Sequence, residues 1–141
     1  MSTPLVVDAS VALKWVVTEA GSDQAAELLT DMASGALSLL APEHFLGEVG
    51  NGLRKRVAQG ILSDDDALDA FDAIAALELE FFAGPQRWLA CLRAALDWQL
   101  TTYDALYVQL ALDLDAELIT ADTRLVKTAR SRSLPVRPLI N

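Results

Sequence analysis

A short apolar run that ends in an acid constrains this chain more than any other feature of its sequence. Leu5-Val6-Val7 leads directly into Asp8, and a continuous apolar run of this kind is typical of a strand buried on both faces of a parallel sheet. Asp8 then follows the carboxyl end of that strand, which is where open α/β sheets bind their ligands. A carboxylate there needs water, a cation or a helix N-terminus to offset its lost hydration. The alternative is that Asp8 only ends the strand or caps the helix that follows.

Strand-like and helical patterns alternate along the rest of the chain. Further strands are predicted at 37–41, 77–82, 116–122 and 134–136, the last as a short edge strand. Helices are predicted at about 10–17, 22–34, 43–58, 63–75, 88–96, 101–112 and 123–130. This alternation predicts a three-layer α/β/α sandwich around a central, mainly parallel sheet of four to five strands. We expect one domain spanning residues 1–141, a length that allows a sizeable core.

Several local signals refine these elements. Pro42 is expected in the first turn of the helix at 43–58, where its missing N–H is not needed, and Gly84-Pro85 is expected to break the chain. Ser63, followed by three aspartates, predicts a capped helix start. The apolar stripe of the helix at 88–96 is expected to be core; it comprises Trp88, Leu89, Leu92, Ala95 and Leu96.

Three glycines interrupt the helix predicted at 43–58. Gly47, Gly50 and Gly52 each cost up to about 1 kcal/mol of helix stability relative to alanine, or they allow another helix or subunit to pack closely. His44, beside the apolar Phe45, is expected to start this helix or to pack, and not to act as a general base.

The composition excludes several classes of protein. Hydrophobic residues make up 52% of the chain, yet no apolar run approaches the ~18 residues of a membrane span, and no signal peptide is recognisable. Cys91 is the only cysteine, which fits a reducing cytoplasm and a buried apolar role rather than a nucleophile. Because the chain also has only one histidine, a structural zinc site is not expected.

The charge is acidic overall but basic at one end. A net charge of −9 argues against a general nucleic-acid coat protein. The segment after Asp122, however, contains five cations and no acid. A polyanion could dock on such a basic segment while bound cations mask an acidic centre. Lys14, Arg124 and Lys127 lie near the predicted edge of the sheet and are candidates for phosphate contacts; exposed side chains without such a role are the alternative.

Four acids are candidates for a common site. Asp8 and Asp122 both follow predicted strands, so they lie at the same edge of a parallel sheet, where helices also begin. Asp104 lies at the start of a helix, and Glu48 lies near the start of another. Carboxylates converging within ~6 Å repel one another and raise one another's pKa values, unless a cation lies between them. With no histidine or cysteine ligand, Mg²⁺ or Mn²⁺ is favoured over zinc, and such ions promote phosphodiester cleavage.

The motifs around these acids resemble those of the PIN-domain family, and among its members the VapC toxins of VapBC toxin–antitoxin pairs. The resemblance covers nearly the whole chain and rests on four motifs: Val7-Asp8-Ala9-Ser10, Glu48-Val49-x-Asn51-x-Leu53, Thr102-Tyr103-Asp104-Ala105-Leu106-Tyr107 and Thr120-Ala121-Asp122-x-x-Leu125.

The resemblance implies an α/β/α fold and a Mg²⁺-dependent endoribonuclease. It also implies a homodimer that is neutralised by a cognate antitoxin protein. Asp8, Glu48, Asp104 and Asp122 would form the catalytic, metal-binding quartet. Ser10, Asn51 and Thr120 would be supporting polar residues that orient ligands or water.

Each acid also has a purely structural explanation. Asp104 fits the acid of a capping box that starts with Thr101. Glu48 could be an exposed acid on a helix, and Asp122 could start the last helix. A non-catalytic receiver-like or RNA-binding regulatory module with the same acidic pocket is the alternative function, but no adjacent acidic pair follows the first strand. A haloacid dehalogenase-type phosphatase would need Asp-x-Asp, where this chain has Asp8-Ala9-Ser10.

Overall fold

Strands and helices alternate along the chain as its pattern predicts. In the computed structural model, which describes residues 2–82 and 86–140, the strands are β1 (Thr3–Val7), β2 (Leu37–Pro42), β3 (Glu80–Phe82), β4 (Glu117–Thr120) and β5 (Val136–Pro138). The helices are α1 (Ala9–Val16), α2 (Ser22–Ala33), α3 (Phe45–Ala58), α4 (Asp64–Ala75), α5 (Gln86–Trp98), α6 (Thr102–Asp113) and α7 (Thr123–Arg130).

The strands form one parallel sheet in the order β3-β2-β1-β4-β5. From β1 the chain moves outward to β2 and β3, then returns across the sheet to β4 and continues outward to β5. Since parallel crossovers are right-handed, these opposite directions place the connecting helices on opposite faces of the sheet. The predicted α/β/α sandwich with a parallel sheet is confirmed.

The centre of the sheet is the most deeply buried part of the fold. Leu5, Val6 and Val7 of β1 are buried, and Val7 lies opposite Ile119 of β4. On one face α6 lies against β1, β2 and β4. Because β1 and β4 lead outward in opposite directions, the gap between their carboxyl ends is the topological switch point of the sheet, where such folds bind ligands.

One glycine allows α1 and α3 to pack closely. A Cβ atom added to Gly52 would lie 2.5 Å from Cδ1 of Leu13 in α1, whereas nothing lies within 4 Å of such an atom on Gly47. Of the two explanations for the glycines, close packing therefore holds at Gly52. This contact matters for the site, since α1 begins just after Asp8 and α3 carries Glu48.

Element boundaries differ from the predictions where strands meet prolines or turns. Pro42 is the last residue of β2, paired with Phe82, and not part of the first turn of α3, which begins at Phe45. Because Pro42 lies at a strand end, its missing N–H removes no essential ladder bond. Strand β3 is shorter than predicted, and β5 lies two residues later, although it is an edge strand as expected. The predicted break at Gly84-Pro85 lies outside the described residues.

The prediction that the leucine stripe of α5 is core is wrong. Leu89, Leu92 and Leu96 are exposed, whereas Ala94 and Ala95 are buried with Ala105 of α6. Helix α5 packs on α6 through its small residues, so its leucines face away from the core. Cys91 is buried, as expected. No helix in the described part of the chain is both long and apolar enough to span a bilayer.

Candidate active site

Two acids follow the strands that flank the switch point. The N–H of Asp8, directly after β1, donates to the carbonyl of Ile119 in β4 (3.0 Å), so the end of β1 is tied to β4. Asp122 follows β4 after only Ala121 and is the N-cap residue of α7. The parallel register of β1 and β4 therefore brings two acids together that are far apart along the chain.

The carboxyl group of Asp8 is buried and held by two hydroxyl groups. Oγ1 of Thr120 donates to Oδ2 of Asp8 (2.8 Å), and Oγ of Ser10 donates to the same oxygen. The two hydroxyls are themselves fixed, because they accept hydrogen bonds from the N–H groups of Asp122 and Ala121 (both 3.0 Å). Asp8 is the residue before α1, but its side chain makes no capping hydrogen bond. A cap is therefore not what holds this carboxylate.

Burial raises the pKa of the Asp8 carboxyl above its ordinary value. The hydrogen bonds from Ser10 and Thr120 lower this pKa but do not outweigh the burial, and the charges of Glu48 and Asp122 raise it further. Each of these two charges repels the ionised form. The site therefore holds Asp8 in a place where burial and neighbouring acids both disfavour its negative charge.

Asp104 reaches the same site from the start of α6. Its backbone N–H donates to Oγ1 of Thr101 (3.0 Å), which confirms the predicted cap. Burial raises the pKa of the Asp104 side chain to about 6, and the charges of Asp8, Asp122 and Glu48 add to the rise. Asp104 and Asp122 line one cavity of about 280 Å³. The capping explanation for this segment is correct, and it is compatible with the place of Asp104 among the acids: a hydrogen bond with the Thr101 side chain lowers the pKa of Asp104 but does not outweigh the burial.

Asp122 combines a structural role with a place in the acidic site. Its Oδ1 accepts from the N–H groups of Arg124 (2.9 Å) and Leu125 (3.3 Å), so it caps α7 as the structural explanation predicted. Its charge also raises the pKa values of Asp8 and Asp104. The two roles are therefore compatible.

Glu48 lies in the first turn of α3, and a buried tyrosine holds it. The hydroxyl of Tyr107 donates to Oε1 of Glu48 (2.7 Å) and accepts from the N–H of Ala9 (3.3 Å). Burial raises the pKa of Tyr107, as do the charges of Asp8 and Glu48, so this hydroxyl keeps its proton and acts as a donor. The sequence motifs alone did not indicate a role for Tyr107. A tyrosine on a mostly buried helix could have indicated one, because its hydroxyl must find a hydrogen-bond partner.

His44 packs beside this pair of residues. Its ring contacts those of Tyr103, Tyr107 and Trp88, at centroid distances of 5.0, 4.9 and 6.2 Å, and its Nε2 lies 3.1 Å from Oε1 of Glu48. The histidine occupies the N-cap position of α3. His44 therefore lies where a residue that starts a helix and packs is expected to lie.

The remaining sequence candidates lie in different places. Asn51 is on the exposed side of α3, where its Oδ1 accepts from Nε of Arg54 (3.2 Å). Arg124 lines the same cavity as Asp104 and Asp122. Lys14 and Lys127 instead line a second cavity. The predicted cations therefore fall into two groups.

The donor set suits a hard divalent cation in its chemistry. All four acids offer oxygen, the preferred ligand of Mg²⁺ and Mn²⁺, and their mutual repulsion is what a cation would relieve. Among residues 2–82 and 86–140, no set of three or more histidine, cysteine, aspartate or glutamate side chains is already arranged to hold a metal ion. Binding of an ion by these acids would thus require their side chains to move closer together.

Comparisons with known proteins point to one family. The family model described as the PIN domain matches residues 5–131. The chain is 35% identical over 124 residues to Ribonuclease VapC1 of Mycobacterium tuberculosis, covering 85% of this chain and 86% of the relative. It is 32% identical over 127 residues to Ribonuclease VapC3 of Pyrobaculum aerophilum, covering 87% and 92%.

Two solved structures share the fold. The crystal structure of PAE2754 from Pyrobaculum aerophilum has a TM-score of 0.71 at 22% identity, covering 99% of this chain and 92% of that chain. VapBC2 from Rickettsia felis, bound to a DNA fragment from its promoter, has a TM-score of 0.70 at 13% identity, covering 96% and 98%. At these identities the two structures are evidence for the fold alone.

Proposed function

Because the chain belongs to the PIN-domain family, we propose that it is a divalent-metal-dependent endoribonuclease and the toxin of a type II toxin–antitoxin pair. The family assignment confirms the resemblance predicted from the four sequence motifs. The relatives named as VapC ribonucleases match over most of their own length, which supports the activity. The observation that carries the proposal is the gathering of carboxylates from separate segments, with the pKa values of Asp8 and Asp104 raised.

Asp8, Glu48, Asp104 and Asp122 would hold Mg²⁺, or Mn²⁺ in its place. When bound, such an ion activates a water molecule and neutralises charge on the scissile phosphate and the leaving oxygen. Asp8 is the best-positioned ligand, since Ser10 and Thr120 fix the direction of its carboxylate. This is the orienting role expected for those two residues, because a ligand held in place loses less entropy on binding.

Two of the other acids are held by hydrogen bonds. Asp122 is fixed by the first N–H groups of α7, and Glu48 is fixed by the hydroxyl of Tyr107. Arg124, in the same cavity as Asp104 and Asp122, would contact a phosphate of the RNA and offset its repulsion by the acids. These side chains would align a phosphodiester at the acids. His44, the only histidine of the chain, is packed among aromatic rings.

Replacing Asp8 by asparagine tests the proposal. Asp8→Asn keeps the shape of the side chain and a carbonyl oxygen that can accept from Ser10 and Thr120, but it removes the charge. We expect RNA cleavage in Mg²⁺ to fall by at least about 10²-fold, which corresponds to roughly 2.7 kcal/mol of activation free energy. Calorimetric titration with Mn²⁺ should show weaker binding, while circular dichroism should show an intact fold.

Asp97→Asn is the matched control. Asp97 lies on the exposed surface of α5, so the same chemical change there should leave cleavage and Mn²⁺ binding unaltered. Cleavage that persists in purified Asp8→Asn, or that survives EDTA in the wild-type protein, would reject the proposal. Transfer of phosphate from a small phosphodonor to an aspartate, without RNA cleavage, would favour the receiver-like alternative.

The proposed partners are a second copy of the chain and an antitoxin. The exposed leucines of α5, Leu89, Leu92 and Leu96, supply an apolar face that a homodimer could cover. Light scattering on the wild-type protein should give the mass of a dimer, and Leu92→Asp should reduce that mass. A monomeric wild-type protein would contradict the homodimer. A short neighbouring gene for a DNA-binding protein that co-purifies with this chain would support the antitoxin.

A further inference from the structure

A larger cavity, of about 480 Å³, lies beside the acidic site and is not used by the proposed chemistry. It is bounded by α1, the turn after α1, the first two turns of α7 and the C-terminal segment after β5. The residues that line it are Lys14, Ala20, Thr120, Ala121, Thr123, Val126, Lys127, Arg130, Pro138, Leu139 and Ile140. Its volume is within the range of pockets that hold small molecules.

Helix α7 separates this cavity from the acids. Thr123, Val126, Lys127 and Arg130 face the larger cavity, whereas Arg124, Leu125 and Thr128 face the cavity of Asp104 and Asp122. At 100° per residue these two sets lie on roughly opposite sides of the helix. Thr120, just before the N-terminus of α7, links the larger cavity to the acids, because it lines that cavity and also donates to Asp8.

The charge of the larger cavity is opposite to that of the chain. Three cations, Lys14, Lys127 and Arg130, line the cavity, and none of its described lining residues is an acid, although the net charge of the protein is −9. Lys14 is steadied by Glu19 (3.1 Å), whose carboxylate is shared with Arg56. The cavity therefore attracts an anion. The acidic site beside it repels anions unless a cation is bound.

Apart from Thr120 and Thr123, the rest of the lining is apolar. Val126 and Leu139 are buried, and Ile140 is 47% exposed. A Cβ atom on Gly21 would lie 3.0 Å from Cδ1 of Ile140 and 3.2 Å from Cδ2 of Leu139, so the absence of a side chain there lets the C-terminal segment close this wall. An apolar wall beside cations suits a group that is flat and apolar at one end and anionic at the other.

We propose that this cavity binds one nucleotide of a single-stranded RNA, adjacent to the nucleotide whose phosphodiester lies at the acids. Its phosphate contacts Lys14, Lys127 and Arg130, and its base lies against Val126 and Ile140. The inference rests on the proposed ribonuclease function, because only a polymer with a phosphate at each nucleotide would occupy both sides of α7 at once. Contacts of this kind bind RNA strongly in low salt and tolerate different bases.

The electrostatic part is tested by removing two exposed cations. In the Asp8→Asn background, which is expected to keep the RNA intact, the double variant Lys127→Ala/Arg130→Ala should bind a short labelled single-stranded RNA about tenfold or more weakly in low salt. The slope of log K against log salt concentration should decrease by up to about 0.7, since one phosphate contact to a single strand contributes about 0.7. Arg137→Ala is the control: this exposed cation pairs with Glu117 and should change the slope little.

The apolar part is tested at the exposed residue of the wall. Ile140→Ser should weaken RNA binding by a similar factor at every salt concentration, because it removes apolar contact and no charge. It should leave the binding of inorganic polyphosphate, which has phosphates but no bases, unchanged. Equal effects on both polymers would show that the wall does not contact a base and would overturn that part of the proposal.

The proposal fails if Lys127→Ala/Arg130→Ala binds RNA no more weakly than Arg137→Ala does. It also fails if the double variant retains RNA binding and loses affinity only for the antitoxin, since the cavity would then hold a peptide. Neither outcome touches the ribonuclease proposal, which stands or falls on Mg²⁺-dependent cleavage and its loss in Asp8→Asn. Cleavage by the wild-type protein with unaltered binding by the double variant would therefore reject the nucleotide site alone.

Discussion

Gly52 sets the distance between helix α1, which follows Asp8, and helix α3, which carries Glu48, and replacing it with alanine tests this directly. Helix α1 follows Asp8 and helix α3 carries Glu48, and they contact each other where Gly52 faces Leu13. An ideal Cβ on Gly52 would lie 2.5, 3.1 and 3.3 Å from Cδ1, Cδ2 and Cγ of Leu13. Leu13 is 8% exposed and part of the core, so its side chain has little room to move away.

Two opposing contributions determine the size of the effect. Alanine in place of glycine within a helix stabilises it by about 1 kcal/mol. Inserting a methyl group into a packed core costs about 1–3 kcal/mol. Gly52→Ala should therefore change the free energy of unfolding by between about 0 and −2 kcal/mol.

Gly50→Ala isolates the steric contribution. Gly50 lies in the same helix, and its added Cβ would be 3.8 Å from Cε2 of Phe71, an ordinary contact. Both variants gain the same helix propensity, so the difference in their unfolding free energies measures the contact with Leu13. Urea denaturation should show Gly50→Ala more stable than wild type, and Gly52→Ala less stable than Gly50→Ala by about 1–3 kcal/mol, with equal m values.

A second substitution identifies the contact. Leu13→Val in the Gly52→Ala background should recover part of the lost stability, with a coupling free energy above roughly 0.5 kcal/mol in the double-mutant cycle. If Gly52→Ala is as stable as Gly50→Ala, the close approach of α1 and α3 does not depend on the missing side chain, and Gly52 does not set their distance.

Two further predictions concern the acids and their hydroxyl partner. Without divalent ions, the free energy of unfolding should fall as the pH rises from about 4 to about 6, because folded Asp104, with a pKa of about 6, keeps a proton that the unfolded chain releases near its ordinary pKa. Asp104→Asn should reduce this slope and stabilise the protein by about 1–2 kcal/mol near neutral pH in urea denaturation; an unchanged slope would contradict the repulsion among the acids. Tyr107→Phe should lower stability by about 1.5–3 kcal/mol, because it removes a hydrogen bond to the charged group of Glu48, and should weaken Mn²⁺ binding. Tyr103→Phe, on a side chain that is 55% exposed, is the control in both thermal denaturation and Mn²⁺ titration, and an equal effect of the two variants would refute the role of the Tyr107 hydroxyl.

The local sequence determined the strands and helices, and also the ends of these elements at which the acids lie. The apolar run before Asp8 forms the central strand, Ser63 accepts from the N–H of Asp66, and Thr101 caps the helix that carries Asp104. These outcomes depend on residues within a few positions of one another, so a pattern in the chain is enough to predict them. The alternation of strands and helices also determined the parallel sheet, because right-handed crossovers leave few arrangements.

Only the tertiary structure decided which faces are covered and which groups meet. The leucines of α5 have the spacing of a core stripe, yet α5 packs on α6 through alanines, and helical periodicity does not say which side has a neighbour. The hydrogen bond from Tyr107 to Glu48 joins residues 59 positions apart, and the division of α7 between an acidic and a basic cavity depends on the segments packed around it. Each of these features is a relation between distant parts of the chain, which becomes defined only when packing fixes their distances.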